Sequence, residues 1–222
     1  MSNEVILIFH GIGNSRPDLP DNEHSYWIAP EFFDEVLQVV ASRRHRRKVV
    51  LTFDDGNKSD LYAADRLASA GLKGQFYVLT GRFGQQHYVD RDHARDLALA
   101  GFEVGLHGRS HIDWRNASTK ELEDETIEAR AELADAIGRP VKSAAIPFGA
   151  YNRRVINHLL RQSFDRIYTS DAGPARTDGV FRRRTSVMAH HNIEDVIALL
   201  EDSASPIKRA RRLIAPIIKR WR

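Results

Sequence analysis

Asp54 and Asp55 stand side by side between the apolar run Val49-Val50-Leu51-Thr52-Phe53 and Gly56. Asp is disfavoured in strands and a carboxylate pair resists desolvation, so both are expected just past a strand end, where a cation can neutralise them. A second short run, Phe102-Glu103-Val104-Gly105-Leu106, leads into His107-Gly108-Arg109-Ser110-His111. On a helical turn a spacing of four puts both imidazoles on one face, close enough to share one ion. One carboxylate then completes a set of two His and one Asp, which keeps positions open for water and substrate and so suits a catalytic metal rather than a structural one. Alone, Asp-Asp-Gly reads more simply as a helix cap and a solvated turn, and ten His in one chain make a chance pair easy to obtain. What joins the two groups is that each follows directly on an apolar run.

A third segment has the same layout: Ser143-Ala144-Ala145-Ile146 runs into Pro147-Phe148-Gly149-Ala150-Tyr151-Asn152. A rigid Pro and a permissive Gly suit a wall that brings backbone N–H groups near a substrate. Together TFDDG (Thr52 to Gly56), HGRSH (His107 to His111) and IPFGAY (Ile146 to Tyr151), in that order and spacing, resemble the polysaccharide deacetylase family, the NodB-homology or carbohydrate esterase 4 family. The likeness runs from about Val5 to about Val187, and Ile6 to Ile12 is similar to the opening strand of many bacterial members.

The resemblance implies Asp54 as general base, with Asp55, His107 and His111 as ligands of one divalent metal ion, usually zinc. It also implies substrate binding by the Pro147-Phe148-Gly149 loop, and removal of an N-acetyl or N-formyl group from an amino sugar. Two departures stand out. Many members carry an Arg, partner of the base, two residues before the motif Pro, and Ala145 stands there in this chain. Arg182, Arg183 or Arg184 could supply that cation from a later strand, in which Arg183 would point opposite to its neighbours. The family's late Leu-x-His motif, source of the general acid, is not evident either; His190, His191 and His10 are the candidates. His10 is preferred because it ends a strand as the other site residues do.

These residues need a scaffold of alternating elements. Strands are expected at Val5 to Phe9, Val49 to Phe53, Gln75 to Leu79, Phe102 to Leu106, Ser143 to Ile146, Arg166 to Thr169 and Phe181 to Val187. Helices are expected at Pro30 to Arg43, Ser59 to Ala70, Asp90 to Ala100, Ser118 to Ile137, Asn152 to Gln162 and Ile193 to Asp202, with a capping box at Ser118 and stops at Gly71, Gly101 and Gly138. Repeated β-α units argue for an α/β fold with a parallel sheet. The resemblance selects a distorted, incomplete (β/α) barrel, in which all three motifs would sit at the C-terminal mouth.

A chain of 222 residues, 42% hydrophobic, can bury one core, and zero Cys excludes disulfides, thiolate metal sites and thiol nucleophiles. The barrel is assigned to residues 1–204. Residues 205–222 form a separate tail, in which Pro206 to Arg222 carry seven Lys or Arg and no acid. The first 205 residues therefore have a net charge of about −4, against +3 for the whole chain. Ile207, Ala210, Ile214, Ile217, Ile218 and Trp221 recur at helical spacing, as in a basic amphipathic helix, kinked or divided at Pro216, for an anionic membrane surface or for the barrel itself. The basic run Arg43 to Lys48 reads as a solvated helix end, and nucleic acid is not an expected partner. The N-terminus is too short and too acidic for a secretory signal, and no apolar run approaches membrane-spanning length. The expected location is cytoplasmic, peripheral at the inner membrane face, with a lipid-linked or nucleotide-linked glycan precursor as substrate. A catalytically silent glycan-binding or membrane-attached scaffold is the alternative. A glycosidase fails because its paired carboxyls must flank the bond at least about 5 Å apart, and no G-x-S-x-G elbow supports a serine hydrolase.

Overall fold

Each strand alternates between two destinations, and that alternation separates two interiors. In the structure, a computed structural model that describes residues 3–42, 47–201 and 219, the strands are β1 (Asn3–Phe9), β2 (Gly11–Ile12), β3 (Trp27–Ile28), β4 (Lys48–Asp55), β5 (Gly74–Val78), β6 (Glu103–Leu106), β7 (Ser143–Ala145), β8 (Arg166–Thr169), β9 (Ala175–Arg176), β10 (Phe181–Arg183) and β11 (Thr185–Ser186). The helices are α1 (Pro30–Ser42), α2 (Ser59–Ser69), α3 (Arg91–Leu99), α4 (Thr119–Glu123), α5 (Ala129–Ile137), α6 (Arg153–Arg161) and α7 (Ile193–Glu201). One set of side chains, including Leu51, Phe53, Phe76 and Val104, packs with the helices in the main core. The other set, Ile6, Tyr77, Ala145 and Tyr168, forms a smaller cluster inside the curved sheet.

The main sheet runs β10-β8-β7-β6-β5-β4-β1-β11 with all these neighbours parallel, and short β9 lies antiparallel on β1. A single residue, Arg184, separates β10 from β11, although the two pair with opposite ends of the sheet. The single strand expected from Phe181 to Val187 is thus the seam that nearly closes the barrel. Its first half bonds β8, its second half bonds β1, and the break lets each end of the curved sheet find a partner.

Asp54 and Asp55 lie within the last two positions of β4 rather than past its end, with Asp54 opposite Tyr77 and Asp55 opposite Val78 on β5. A barrel permits this because its interior offers an inward-facing Asp a cation. The helix expected from Ser118 to Ile137 is interrupted by a π-helical turn, Asp124–Glu128, between α4 and α5. Ser118 makes the expected capping box with Glu121, and Gly138 ends α5 in the left-handed conformation. Among the described residues, no helix is long and apolar enough to cross a membrane. Apart from Lys219, the expected amphipathic tail lies outside the described residues, as do Arg43 to Arg46 of the basic run.

Candidate active site

The C-terminal ends of β1, β4, β6 and β7 bring His10, Asp54, Asp55, His107 and the Pro147 loop to one mouth, and a single cavity is lined by His10, Asp54, Asp55, His107, His111 and Phe148. Asp55 Oδ1 lies 3.3 Å from His107 Nε2 and 3.4 Å from His111 Nε2. Their ligand atoms lie within 4.8 Å of one another. His107 Nδ1 donates to the carbonyl of Ala145 at 2.9 Å, which leaves the Nε2 lone pair facing Asp55. Asp55 Oδ1 is buried with no hydrogen-bond partner among the described residues. An acceptor that is buried, orphaned and faced by two imidazole nitrogens fits a divalent cation between them.

The expected helical turn between the two His is absent. Residues 107–111 form a bend in which Gly108 and His111 take positive φ values of 97° and 57°. A buried carboxylate replaces the missing helical hydrogen bonds: Glu125 accepts from the backbone N–H of Arg109 at 3.0 Å, of Ser110 at 2.8 Å, and from Trp114 Nε1 at 3.3 Å. The π-helical turn aims Glu125 at this loop. A Cβ on Gly108 would stand 2.4 Å from Glu125 Oε2, so only glycine fits. Asp55 (φ 78°) and Phe148 (φ 57°) also sit in the left-handed region, at about 1–3 kcal/mol each for such residues. Strain gathered on three residues of one mouth is a mark of a functional site rather than of folding convenience.

Asp54 is held differently. Arg184 is 1% exposed and donates from Nη1 to Oδ1 and from Nη2 to Oδ2 of Asp54, both at 2.7 Å, and from Nη1 to Thr52 Oγ1 at 3.1 Å. Its guanidinium also lies 5.4 Å and 5.5 Å from the ring centroids of Tyr77 and Tyr168. The cation absent at Ala145 therefore enters from the barrel seam. Arg182, two residues earlier on the same face, pairs with buried Glu4, and Arg183 lies on the opposite face, as strand alternation requires.

Burial raises the Asp54 carboxyl, but Arg184, together with His107 and His10, outweighs it and holds Asp54 below the ordinary carboxylate range. Burial likewise raises Asp55, yet His111 and His107 hold it far below that range. His111 is pulled down to about 4 by burial. For His107 burial acts downward, while Asp54 and Asp55 together carry it above its ordinary value. His10 is lowered by burial; its Nδ1 is buried without a partner among the described residues, and its ring lies against Tyr26 at 4.7 Å. His190 and His191 meet edge to face with ring centroids 4.5 Å apart, His191 Nδ1 accepts from Met188 N–H, and neither lines the cavity.

Phe148, more than half exposed, stacks on His111 with ring centroids 4.3 Å apart. The N–H groups of Gly149 and Ala150 are committed to Ile146 and Pro147, whereas that of Phe148 has no partner among the described residues. Behind this loop, buried Asp171 accepts from Tyr151 and Thr169 hydroxyls and from Lys219 Nζ at 2.7 Å, and Lys219 also donates to the Gly149 carbonyl at 3.2 Å. Sequence inspection missed Glu125 and Asp171, because a lone carboxylate in a helix or loop carries no local signal of what it will meet.

The sequence model of the family described as "Polysaccharide deacetylase" matches residues 41–166, more than half of the chain. The chain belongs to the polysaccharide deacetylase family. This is a family of hydrolases acting on carbon–nitrogen bonds other than peptide bonds. Among curated proteins, the peptidoglycan-N-acetylglucosamine deacetylase PgdA of Listeria monocytogenes is 26% identical over 122 residues, which cover 54% of this chain but 25% of that protein. The solved polysaccharide deacetylase BC0361 of Bacillus cereus superposes with a TM-score of 0.79 at 16% identity, covering 90% of this chain and 69% of that one. The Streptococcus pyogenes deacetylase PplD, solved in complex with acetate, superposes with a TM-score of 0.78 at 21% identity, covering 90% of this chain and 98% of that one. At these identities the structural likenesses establish the fold, which is the expected incomplete barrel.

Proposed function

We propose that the chain is a metal-dependent hydrolase that removes an N-acetyl or N-formyl group from an amino sugar of a polysaccharide or glycan precursor. The observation that carries this is the division between two adjacent carboxylates: Asp55 faces two imidazole nitrogens, while Asp54, one residue away, is clamped by Arg184. Asp55, His107 and His111 would hold the ion, zinc being the family's usual choice. When bound there, the ion supplies Lewis acidity that acidifies water and polarises the acyl carbonyl.

The remaining roles fall to the chain itself. Asp54, ionised at neutral pH and oriented by two hydrogen bonds, accepts the proton of the attacking water. The free Phe148 N–H donates to the oxyanion that develops as the carbonyl becomes tetrahedral. His10, at the cavity wall with an unpartnered Nδ1, supplies the proton to the leaving amine; its position favours it over His190 and His191. Burial lowers the proton affinity of His10, so it takes up a proton from solvent as negative charge builds up on the reacting group and then gives that proton up readily to the amine.

The test is metal content together with release of acetate or formate from N-acyl amino sugars. Wild type should bind one divalent ion, His107→Ala should lose it, and Asp54→Asn should keep it while turnover falls by about 10²–10⁴-fold. Wild-type protein supplied with metal and still inert on N-acetyl and N-formyl substrates would favour the silent scaffold. The tail's composition supports attachment to an anionic membrane and with it a lipid-linked or nucleotide-linked precursor. Liposome sedimentation of the chain truncated before Ser205 should show weaker binding than the full chain.

A further inference from the structure

Arg16, Arg82 and Tyr88 line the cavity that holds Asp55 and His111, and none of the roles above uses them. The Tyr88 ring has a guanidinium 4.8 Å from its centroid on behalf of each arginine. Its hydroxyl oxygen accepts from Arg16 Nη2 at 2.8 Å and from Arg82 Nη1 at 2.6 Å. Both lone pairs of that oxygen are thereby taken, and what the hydroxyl has left to offer is its proton. The Arg16 side chain is 10% exposed and carries a buried Nε–H without an acceptor among the described residues. The nearest carboxylate, Asp18, lies 3.8 Å from that Nε and is itself 66% exposed. Glu23 lines the same cavity and feels both arginines, which lower its carboxyl, although burial and the Asp55 charge raise it more.

Two like charges gathered on one ring repel each other, and among the described residues neither guanidinium has a hydrogen bond to a carboxylate to offset this. An anion would reverse that balance, because every free polar group of the three side chains is a donor. A carboxylate is saturated by a single guanidinium fork, whereas the oxygens of a phosphate can be shared between two forks and a hydroxyl. We propose that Arg16, Arg82 and Tyr88 form an anion subsite for a phosphate group carried by the substrate, so that the chain acts on an N-acylated amino sugar phosphate rather than on a neutral glycan. This rests on the deacylase function proposed above and adds its substrate class. A sugar 1-phosphate, a nucleotide-linked sugar and a lipid-linked sugar all present that chemistry.

Binding and turnover separate the possibilities. Calorimetric titration of wild type, Arg16→Gln, Arg82→Gln and Tyr88→Phe with N-acetylglucosamine, N-acetylglucosamine 1-phosphate and inorganic phosphate reads the subsite without any need for catalysis. Wild type should bind the sugar phosphate at least tenfold more tightly than the neutral sugar, inorganic phosphate should compete, and each arginine variant should reduce that preference by about tenfold or more. Equal affinity for the two sugars, or arginine variants that lose stability while keeping the preference, would overturn the proposal and leave the cluster as a tie between two loops. If a variant does not fold, wild type alone decides: its unfolding temperature should rise with millimolar phosphate at constant ionic strength and stay unchanged with chloride. Acetate release is then compared across chito-oligosaccharide, sugar 1-phosphate, nucleotide-linked and polyprenyl-phosphate-linked N-acetylglucosamine. Arginine-dependent phosphate binding without turnover of any of them would sustain the subsite and sink the deacylase function. Equal turnover of neutral and phosphorylated substrates would do the reverse, and the preferred phosphorylated arm identifies the source.

Discussion

Replacing Arg184 by Met tests the arrangement at its most consequential contact. Arg184 is 1% exposed, makes both hydrogen bonds to Asp54 at 2.7 Å, and leads His107 and His10 in offsetting the cost of burying that carboxylate. Met fills much of the volume, so the loss is electrostatic: a buried carboxylate without its partner. Breaking such a pair from one side costs about 3–5 kcal/mol, which in a chain of this size lowers the unfolding temperature by roughly 6–20 °C. Adding Asp54→Asn removes the stranded charge, so the double variant should be more stable than Arg184→Met alone, with a coupling of about 2 kcal/mol or more. The assay is urea unfolding of the four members of the cycle, all freed of metal by a chelator at neutral pH. A coupling below about 0.5 kcal/mol, within the range of independent sites, would refute the idea that Arg184 holds Asp54 ionised. Activity gives a second view: without Arg184 the Asp54 carboxyl titrates higher, so the acidic limb of kcat/KM should move to higher pH in Arg184→Met.

His111 sets a pH dependence in the metal-free protein. Its folded value of about 4 lies below the ordinary 6.5, so the unfolded chain takes up the proton first. The His111 contribution should be full above pH 6.5 and decline as pH falls toward 4, by about 3 kcal/mol at most. His107, shifted upward instead, contributes fully below 6.5 and loses its contribution only above it, so it does not mask this decline. Asp54, shifted downward, holds its contribution until pH falls below about 4. Urea midpoints at pH 6.5, 5.5 and 4.5 measure the decline, and midpoints that coincide would refute it. Inside the barrel, Gly105→Ala would place a Cβ 2.3 Å from the Tyr77 ring, and should destabilise by about 1–3 kcal/mol in thermal unfolding. A neutral outcome would mean that Tyr77 has room to move.

Much of the site was legible because its residues sit where strands end. Apolar runs locate strands, and in a (β/α) barrel strand ends share a mouth, so Asp54, Asp55, His107 and the Pro147 loop converge whatever the details of the helices. The pairing of His107 with His111 was found by spacing, but for a reason the structure does not share: a strained loop tied down by Glu125, not a helical turn, brings the rings together. The general-base partner was narrowed to three adjacent arginines. Alternation along a strand sets Arg183 apart from its neighbours but does not say which face meets Asp54, and the register of the seam selected Arg184.

The amino-acid sequence by itself determined the order of elements, the two groups of ligand-type residues and the absence of an Arg at position 145, because these depend on residue type and short-range periodicity. Tertiary structure decided which distant groups meet. Arg184 reaches Asp54 across 130 residues, Glu125 holds a loop from a distorted helix, and Arg16 joins Arg82 around Tyr88. The Arg184–Asp54 contact costs desolvation of two charges, and that cost is met only when closure of the barrel brings the two together. No local pattern encodes such a match, since a buried ion pair is selected by three-dimensional proximity and not by the neighbours of either residue along the chain.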